Sequence, residues 1–197
     1  MDASTDMLDM RVSDLLEQVG SDSPLPGAGA VAALSAALAA GLVEMAARHS
    51  AERWPEAVTV SQTAATLRQQ ASDLAPANAK AYADAREGLA EARQRGPLTD
   101  SDALGSAMLR AADFPLAIAE VAAEVARLAD AALDRVVPDV RADVVGAAAL
   151  SAAAARSAAH LVEVNLVAGD ADDLAARARV LRTDADRCAG RVLAAVG

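Results

Sequence analysis

At 197 residues the chain has room for one folded domain and is short for two. Of its residues 54% are apolar, about half of those alanine, while the aromatic share of 2% leaves no material for a β-sandwich or barrel core. A net charge of −10 without any basic run excludes the electrostatic footprint of nucleic-acid binding. The lone cysteine, Cys188, excludes an internal disulfide and a cysteine zinc cluster.

The opening "MDASTDMLDMR" is acidic and lacks the basic-then-apolar order of a signal peptide. With the single cysteine, this predicts a reduced, cytoplasmic setting. Met7, Val12, Leu15, Leu16 and Val19 share one helical face, and Gly20 stops that first helix. A second helix is expected from about Gly29 to Arg53. Its most apolar stretch, Ala28 to Val43, spans 16 residues, short of the ~20 that cross a bilayer, so it reads as a buried helix and no membrane partner is expected. The third helix should run from about Glu56 to Gln94, with Pro76 kinking or splitting it. Gly96-Pro97 then breaks the chain, and Thr99, Asp100, Ser101 and Asp102 offer N-caps for a helix to about Ala112. Pro115 marks the start of another, ending near Val136. Pro138-Asp139 opens a long helix to about Val167; Gly169 closes it, and Asp170 caps the last, which ends near Ala195. No segment alternates with period two. The expected fold is all-α: a single domain over residues 1–197, an antiparallel bundle of long alanine-rich helices joined by short loops.

The segment "SDSPLPGAGAVAAL", residues 21–34, admits three readings. "GAGAVA" satisfies a dinucleotide-binding pattern, but that pattern needs a preceding strand, which "SDSPLP" cannot form. A plain helix entrance needs only Pro26 and a glycine bend. Alternatively, the glycines let the N–H groups of a helix N-terminus approach an anion or carbonyl.

Polar candidates elsewhere each carry a structural reading beside the functional one. Arg141 and Asp143 sit in the first turn of a helix, where Asp143 also suits the dipole. Asn165 is either a satisfied core amide or a ligand contact, and Trp54 either packs a helix end or stacks on a ligand ring. His49 and His160 read as surface or interhelix residues. Arg156, His160 and Glu163, at i, i+4 and i+7, make a solvated polar stripe rather than a metal site, so no metal is expected.

Four segments in order resemble the cyclodeaminase/cyclohydrolase family, which comprises the C-terminal domain of formiminotransferase-cyclodeaminase and stand-alone methenyltetrahydrofolate cyclohydrolases. Pro26-Gly27-Ala28-Gly29-Ala30-Val31-Ala32-Ala33 is similar to the family's Pro-Gly-Gly-Gly-Ser-Val-Ala-Ala turn, and its helix reaches Met45 as the family's ends in Met. "NAKAYADA" at 78–85 resembles the helix carrying an Ala-Phe or Ala-Tyr pair. "FPL" at 114–116 matches a Val-Pro-Leu helix start, and "VRADVVGAAALSAAAARSAAHLVEVNL" at 140–166 an Arg-Ser-Asp-Val helix ending in Asn-Leu. The resemblance implies an all-α fold, commonly a homodimer, that acts on a small-molecule ligand, a one-carbon-loaded tetrahydrofolate. Its reactions are loss of ammonia from the formimino form or hydrolysis of the methenyl form. It implies a ligand-binding set of Pro26, Gly27, Gly29, Arg53, Lys80, Tyr82, Arg141 and Asn165, with Asp143 taking over proton transfer.

The chain departs from that pattern where the chemistry needs an acid. Where the family has "D-x-D-x-x-A-F", this chain reads Pro76-Ala77-Asn78-Ala79-Lys80-Ala81-Tyr82. An amide orients by hydrogen bonds but cannot shuttle a proton. Asp73 and Asp84 lie about 140° and 240° around the helix from Asn78, so neither replaces it. Ala28 and Ala30 replace a glycine and a serine of the turn. Two functions stand: a folate cyclohydrolase or cyclodeaminase, and a divergent member, either a ligand-binding scaffold or a cyclase or lyase recruited to another small molecule.

Overall fold

The computed structural model describes residues 7–95, 101–166 and 172–195. The features expected at Gly96, Pro97, Thr99, Asp100, Val167, Gly169 and Asp170 lie outside the described residues. Among the described residues six α-helices follow one another: α1 (Val12–Val19), α2 (Ala28–His49), α3 (Ala57–Arg95), α4 (Ser101–Ala132), α5 (Arg141–Leu166) and α6 (Asp172–Ala194). A 3-10 turn, Pro138–Val140, leads directly into α5. No strand occurs among the described residues, so the all-α expectation holds.

Two prolines that should interrupt the chain do not. Helix α4 runs unbroken through Pro115, where sequence reasoning expects one helix to end near Ala112 and another to begin. An interior proline costs about 3 kcal/mol or more, and packing on both sides of it offsets that. Ala112 and Leu116 sit in one apolar cluster with Ala159, Val162 and Ala178, and Ile118, Ala119 and Ala122 enter the main core. Helix α3 likewise continues through Pro76, with Ala71 and Ala75 fully covered one turn before it. Helix α2 ends at His49, earlier than expected. Ser50 takes over as a hinge: its carbonyl accepts from the N–H of Arg53 and of Trp54, both at 3.0 Å.

Helix α2 packs against α3, α4 and α5, and α5 packs against α2, α4 and α6. Alanine sets the spacing. Ala30, Ala33, Ala36, Ala40 and Ala47 of α2 are completely covered, as are Ala147, Ala148, Ala155 and Ala158 of α5. The largest fully buried side chains are only Ile118 and a set of valines, so backbones approach closely across thin layers of methyl groups. Trp54 closes the end of α2, 5% exposed, as a core residue. By length and composition alone, α2 and the Pro138–Leu166 segment could each cross a membrane, a longer apolar reach than the 16 residues read from the sequence. Within the bundle, 61% of the α2 window is buried.

Polar contacts fix how the helices slide along one another. Glu44 meets Arg68 at 2.9 Å, and the buried Ser50 hydroxyl accepts from the Val137 N–H at 3.0 Å. Along α4 and α6 the pairs Glu120–Arg177, Arg127–Asp184 and Asp130–Arg191 advance together. Between α5 and α6 the order reverses, with Arg156–Asp186 at 2.6 Å and Glu163–Arg179 at 3.6 Å. The Arg156–His160–Glu163 stripe thus faces α6 along a partly exposed seam.

Asp184 lies in the middle of the α4–α6 row of pairs. A hydrogen bond from Arg127, and a second from Arg187, hold its carboxyl below the ordinary carboxylate range. A depressed folded value stabilises the fold above the unfolded one, and that contribution disappears as pH falls through the folded value. Acid titration of thermal stability should therefore show a loss below about pH 4 that Asp184→Asn removes in large part. An unchanged acid slope in that variant would show that the seam carries no such linkage.

Candidate functional site

The first turn of α2 is built without a side-chain cap. Gly27 occupies the N-cap with extended backbone (φ −88°, ψ −173°), its carbonyl accepts from the Val31 N–H at 3.2 Å, and no acidic residue lies in the first turn. The leading N–H groups of a helix lack intrahelical partners, and they carry the positive end of the dipole. Pro26 is buried behind them.

Gly29 is crowded on its Cβ side by the Asn78 side chain. A Cβ there would lie 2.7 Å from Asn78 Cγ and 2.8 Å from Asn78 Oδ1. The α3 amide therefore rests directly on the opening turn of α2, in the space that any other residue would fill. Asn78 is half-buried and forms no hydrogen bond with another described residue, so both polar atoms keep their capacity for a ligand. The turn and the position where the resemblance expects an acid are in contact.

The remaining candidates sit elsewhere. Lys80 is exposed and paired with Asp84 at 2.7 Å, while Asp73 accepts from Gln69 at 2.9 Å. The Tyr82 ring, 47% exposed, lies under the Arg86 guanidinium at 5.9 Å. Arg53 is exposed in the turn after α2. Arg141 opens α5, reaching Asp134 at 3.4 Å, and Asp143, two residues on, is half-buried. These last residues stand near the far end of α2. Gly146 faces Leu42, its added Cβ falling 3.8 Å from Leu42 Cδ1, and Val137 bonds to Ser50. From Leu42 back to Gly29 is about 20 Å along the helix axis. The structure thus brings Pro26, Gly27, Gly29 and Asn78 together, and places Arg53, Arg141 and Asp143 toward the other end.

One polar group escaped the sequence reading. Glu44 is 7% exposed, held by Arg48 at 2.6 Å and Arg68 at 2.9 Å. The i, i+4 pair with Arg48 is visible in sequence; the partner on α3 is not. Among the described residues no three His, Cys, Asp or Glu side chains converge as a metal group would need.

Comparison with known proteins decides what this turn belongs to. The formiminotransferase-cyclodeaminase family profile matches residues 11–183, from the approach to α1 well into α6. The chain belongs to that family. The crystal structure of formiminotetrahydrofolate cyclodeaminase from Thermotoga maritima is similar to it with a TM-score of 0.83 at 20% identity, covering 95% of this chain and 96% of that one. At that identity the likeness establishes the fold. Comparison with curated protein sequences finds no match. The family assignment and the absence of a described strand before the turn set the dinucleotide reading aside.

The Gly29–Asn78 contact makes a direct prediction. Gly29→Ala should displace the amide, and the gain of about 1 kcal/mol that alanine brings inside a helix should be partly or wholly lost to that clash in urea unfolding. Because the two groups share one space, Asn78→Ala should recover much of that loss in the double variant. Additive effects would show that the two positions do not touch.

Proposed function

We propose that this chain binds a one-carbon-loaded tetrahydrofolate at the entrance to α2 and acts on it slowly, by loss of ammonia from the formimino form or hydrolysis of the methenyl form. The observation that carries this reading is the Asn78 amide lying on Gly29, within a chain of the formiminotransferase-cyclodeaminase family. Pro26 shapes the turn, Gly27 and Gly29 let ligand approach the N–H groups, and Asn78 orients the ligand through its two hydrogen-bonding atoms. With α5 running back along α2 from the Gly146–Leu42 contact, Asn165 lies about 28 Å on, roughly 9 Å past the level of Gly29 and beside the approach to this turn. The exposed Lys80 and Tyr82 follow Asn78 on α3 and serve the outer part of the ligand. Arg53, Arg141 and Asp143 lie too far along α2 to share one folate ring with Gly29. A homodimer in a cytoplasmic setting, working without a metal, completes the reading.

Ring closure must remove a proton from the attacking nitrogen and deliver one to the departing ammonia. Asn78 can do neither. Asp73 and Asp84 point about 140° and 240° away around α3 and are engaged with Gln69 and Lys80. That observation favours a second reading, a divergent member that keeps the turn as a binding scaffold or uses it for a cyclase or lyase reaction on another small molecule.

Two assays separate these outcomes. Loss of methenyltetrahydrofolate absorbance and release of ammonia from formiminotetrahydrofolate should both be slow with the natural chain. Asn78→Asp should raise at least one of them by about 100-fold or more, the usual contribution of a placed proton-transfer group. Equal rates for the two proteins would remove the amide as the limiting feature. Absence of tetrahydrofolate binding in equilibrium dialysis, with both proteins inactive, would leave the recruited-ligand reading standing instead.

A further inference from the structure

Helix α3 outruns its neighbour. Asn78 rests on Gly29, the second residue of α2, yet α3 continues to Arg95, about 25 Å past that contact. The side chains on this overhang border the approach to the turn.

Two of them share a face with Asn78. At 100° per residue, Tyr82 lies about 40° and Arg86 about 80° around the axis from Asn78, one and two turns farther along. The acids of this stretch take the opposite half. Asp73, Asp84, Glu87 and Glu91 all lie about 120° or more from Asn78 in either direction. In the connector from α1 to α2 only Asp22 is acidic, and it forms no ion pair with Arg86.

Arg86 is therefore a cation left available. It is exposed and has no carboxylate partner among the described residues, whereas Lys80 is tied to Asp84 at 2.7 Å. Its guanidinium sits over the Tyr82 ring, 5.9 Å from the ring centre. A guanidinium held on an aromatic face is positioned in advance and keeps N–H groups free for a carboxylate. Starting from the turn, the face thus presents an amide, a half-exposed aromatic ring and a free cation about 12 Å beyond the amide. A ligand in the same order has a polar ring edge, a planar or apolar middle and an anionic far end.

We propose that Arg86, steadied on Tyr82, binds a carboxylate at the far end of the ligand held by Gly29 and Asn78, and so selects ligands with an anion there over neutral ones. This rests on the tetrahydrofolate reading above, whose substrate has a ring system at one end and glutamate carboxylates at the other. It assigns the anchor for that second end.

The test compares tetrahydrofolate with its diamide, in which both glutamate carboxylates are amides and the rings are unchanged. In equilibrium dialysis the natural chain should bind tetrahydrofolate about tenfold more tightly, by a margin that narrows as salt is raised. Arg86→Gln, at an exposed position, should keep its helical circular dichroism and erase the margin by weakening tetrahydrofolate alone. Arg86→Lys keeps the charge without the planar fork and should restore part of it. Tyr82 is the sole tyrosine, so its ring signals identify themselves in NMR spectra and should shift when tetrahydrofolate binds. Equal affinity of the natural chain for the two compounds, an Arg86→Gln chain that weakens both alike, or an unmoved Tyr82 ring would each overturn the proposal and leave the folate reading in place. A natural chain that binds neither compound removes both.

Discussion

The close approach of α2 to its neighbours is the constraint from which the rest of the architecture follows. It is possible because nearly every contact position on α2 is alanine or glycine, and alanine adds helix propensity at no side-chain entropy cost. Small side chains, however, make shallow ridges, and shallow ridges specify axial position poorly. The register is therefore left to a few polar or steric features spaced along α2: the Gly29–Asn78 contact at its start, the Glu44–Arg68 pair near its end, and Ser50 receiving the Val137 N–H beyond it. Glu44 is the most demanding of these. Its carboxylate, 7% exposed, is held between two guanidiniums, and loss of one partner would leave it buried with half its pairing.

The same shortage of large apolar side chains shapes the attachment of α6. Its buried face is Ala178, Ala185, Cys188, Ala189 and Val192, little surface for a helix of 23 residues. Arginine–carboxylate pairs to α4 and α5 flank that face on both sides. Partly exposed pairs are individually weak, so the thin apolar seam holds the helix on and the pairs fix its direction and register. The preponderance of arginine over the single lysine, Lys80, suits that task, because a planar guanidinium meets carboxylates at a defined angle. Cys188 sits beneath the seam, where burial pushes its thiol above the ordinary value; it serves there as a small apolar side chain.

The helical class was legible because nothing else can be built from so much alanine and so few aromatics, and most helix limits were readable from Gly20, Pro26 and Pro138. The error at Pro115 has a definite source. Local chemistry makes proline a helix breaker, and only tertiary packing, invisible in the sequence, can hold Ala112 and Leu116 on opposite sides of it in one cluster. In the site, the glycine turn and Asn78 were each visible as residues out of place in an alanine helix. Their contact was not visible, since 49 positions of chain separate Gly29 from Asn78. Arg141 and Asp143 looked like ligand groups because polar residues at a helix N-terminus have that appearance anywhere; which end of α2 they reach depends on helix direction and offset, set by Ser50 and Leu42.

Asn78, lying against Gly29, shows how a change of one group alters chemistry without altering shape. Asparagine and aspartate have nearly the same shape, so a change between them leaves the space over Gly29 unaltered. What changes is charge and proton capacity. A carboxylate set against the uncapped N–H groups of α2 would be drawn toward its ionised form by the dipole, and a nearby ligand would feel a full negative charge. The amide instead presents one acceptor and two donor hydrogens with no net charge, which suits a polar, neutral ring edge and holds it without exchanging a proton. Position 78 therefore offers hydrogen bonds and no proton to exchange.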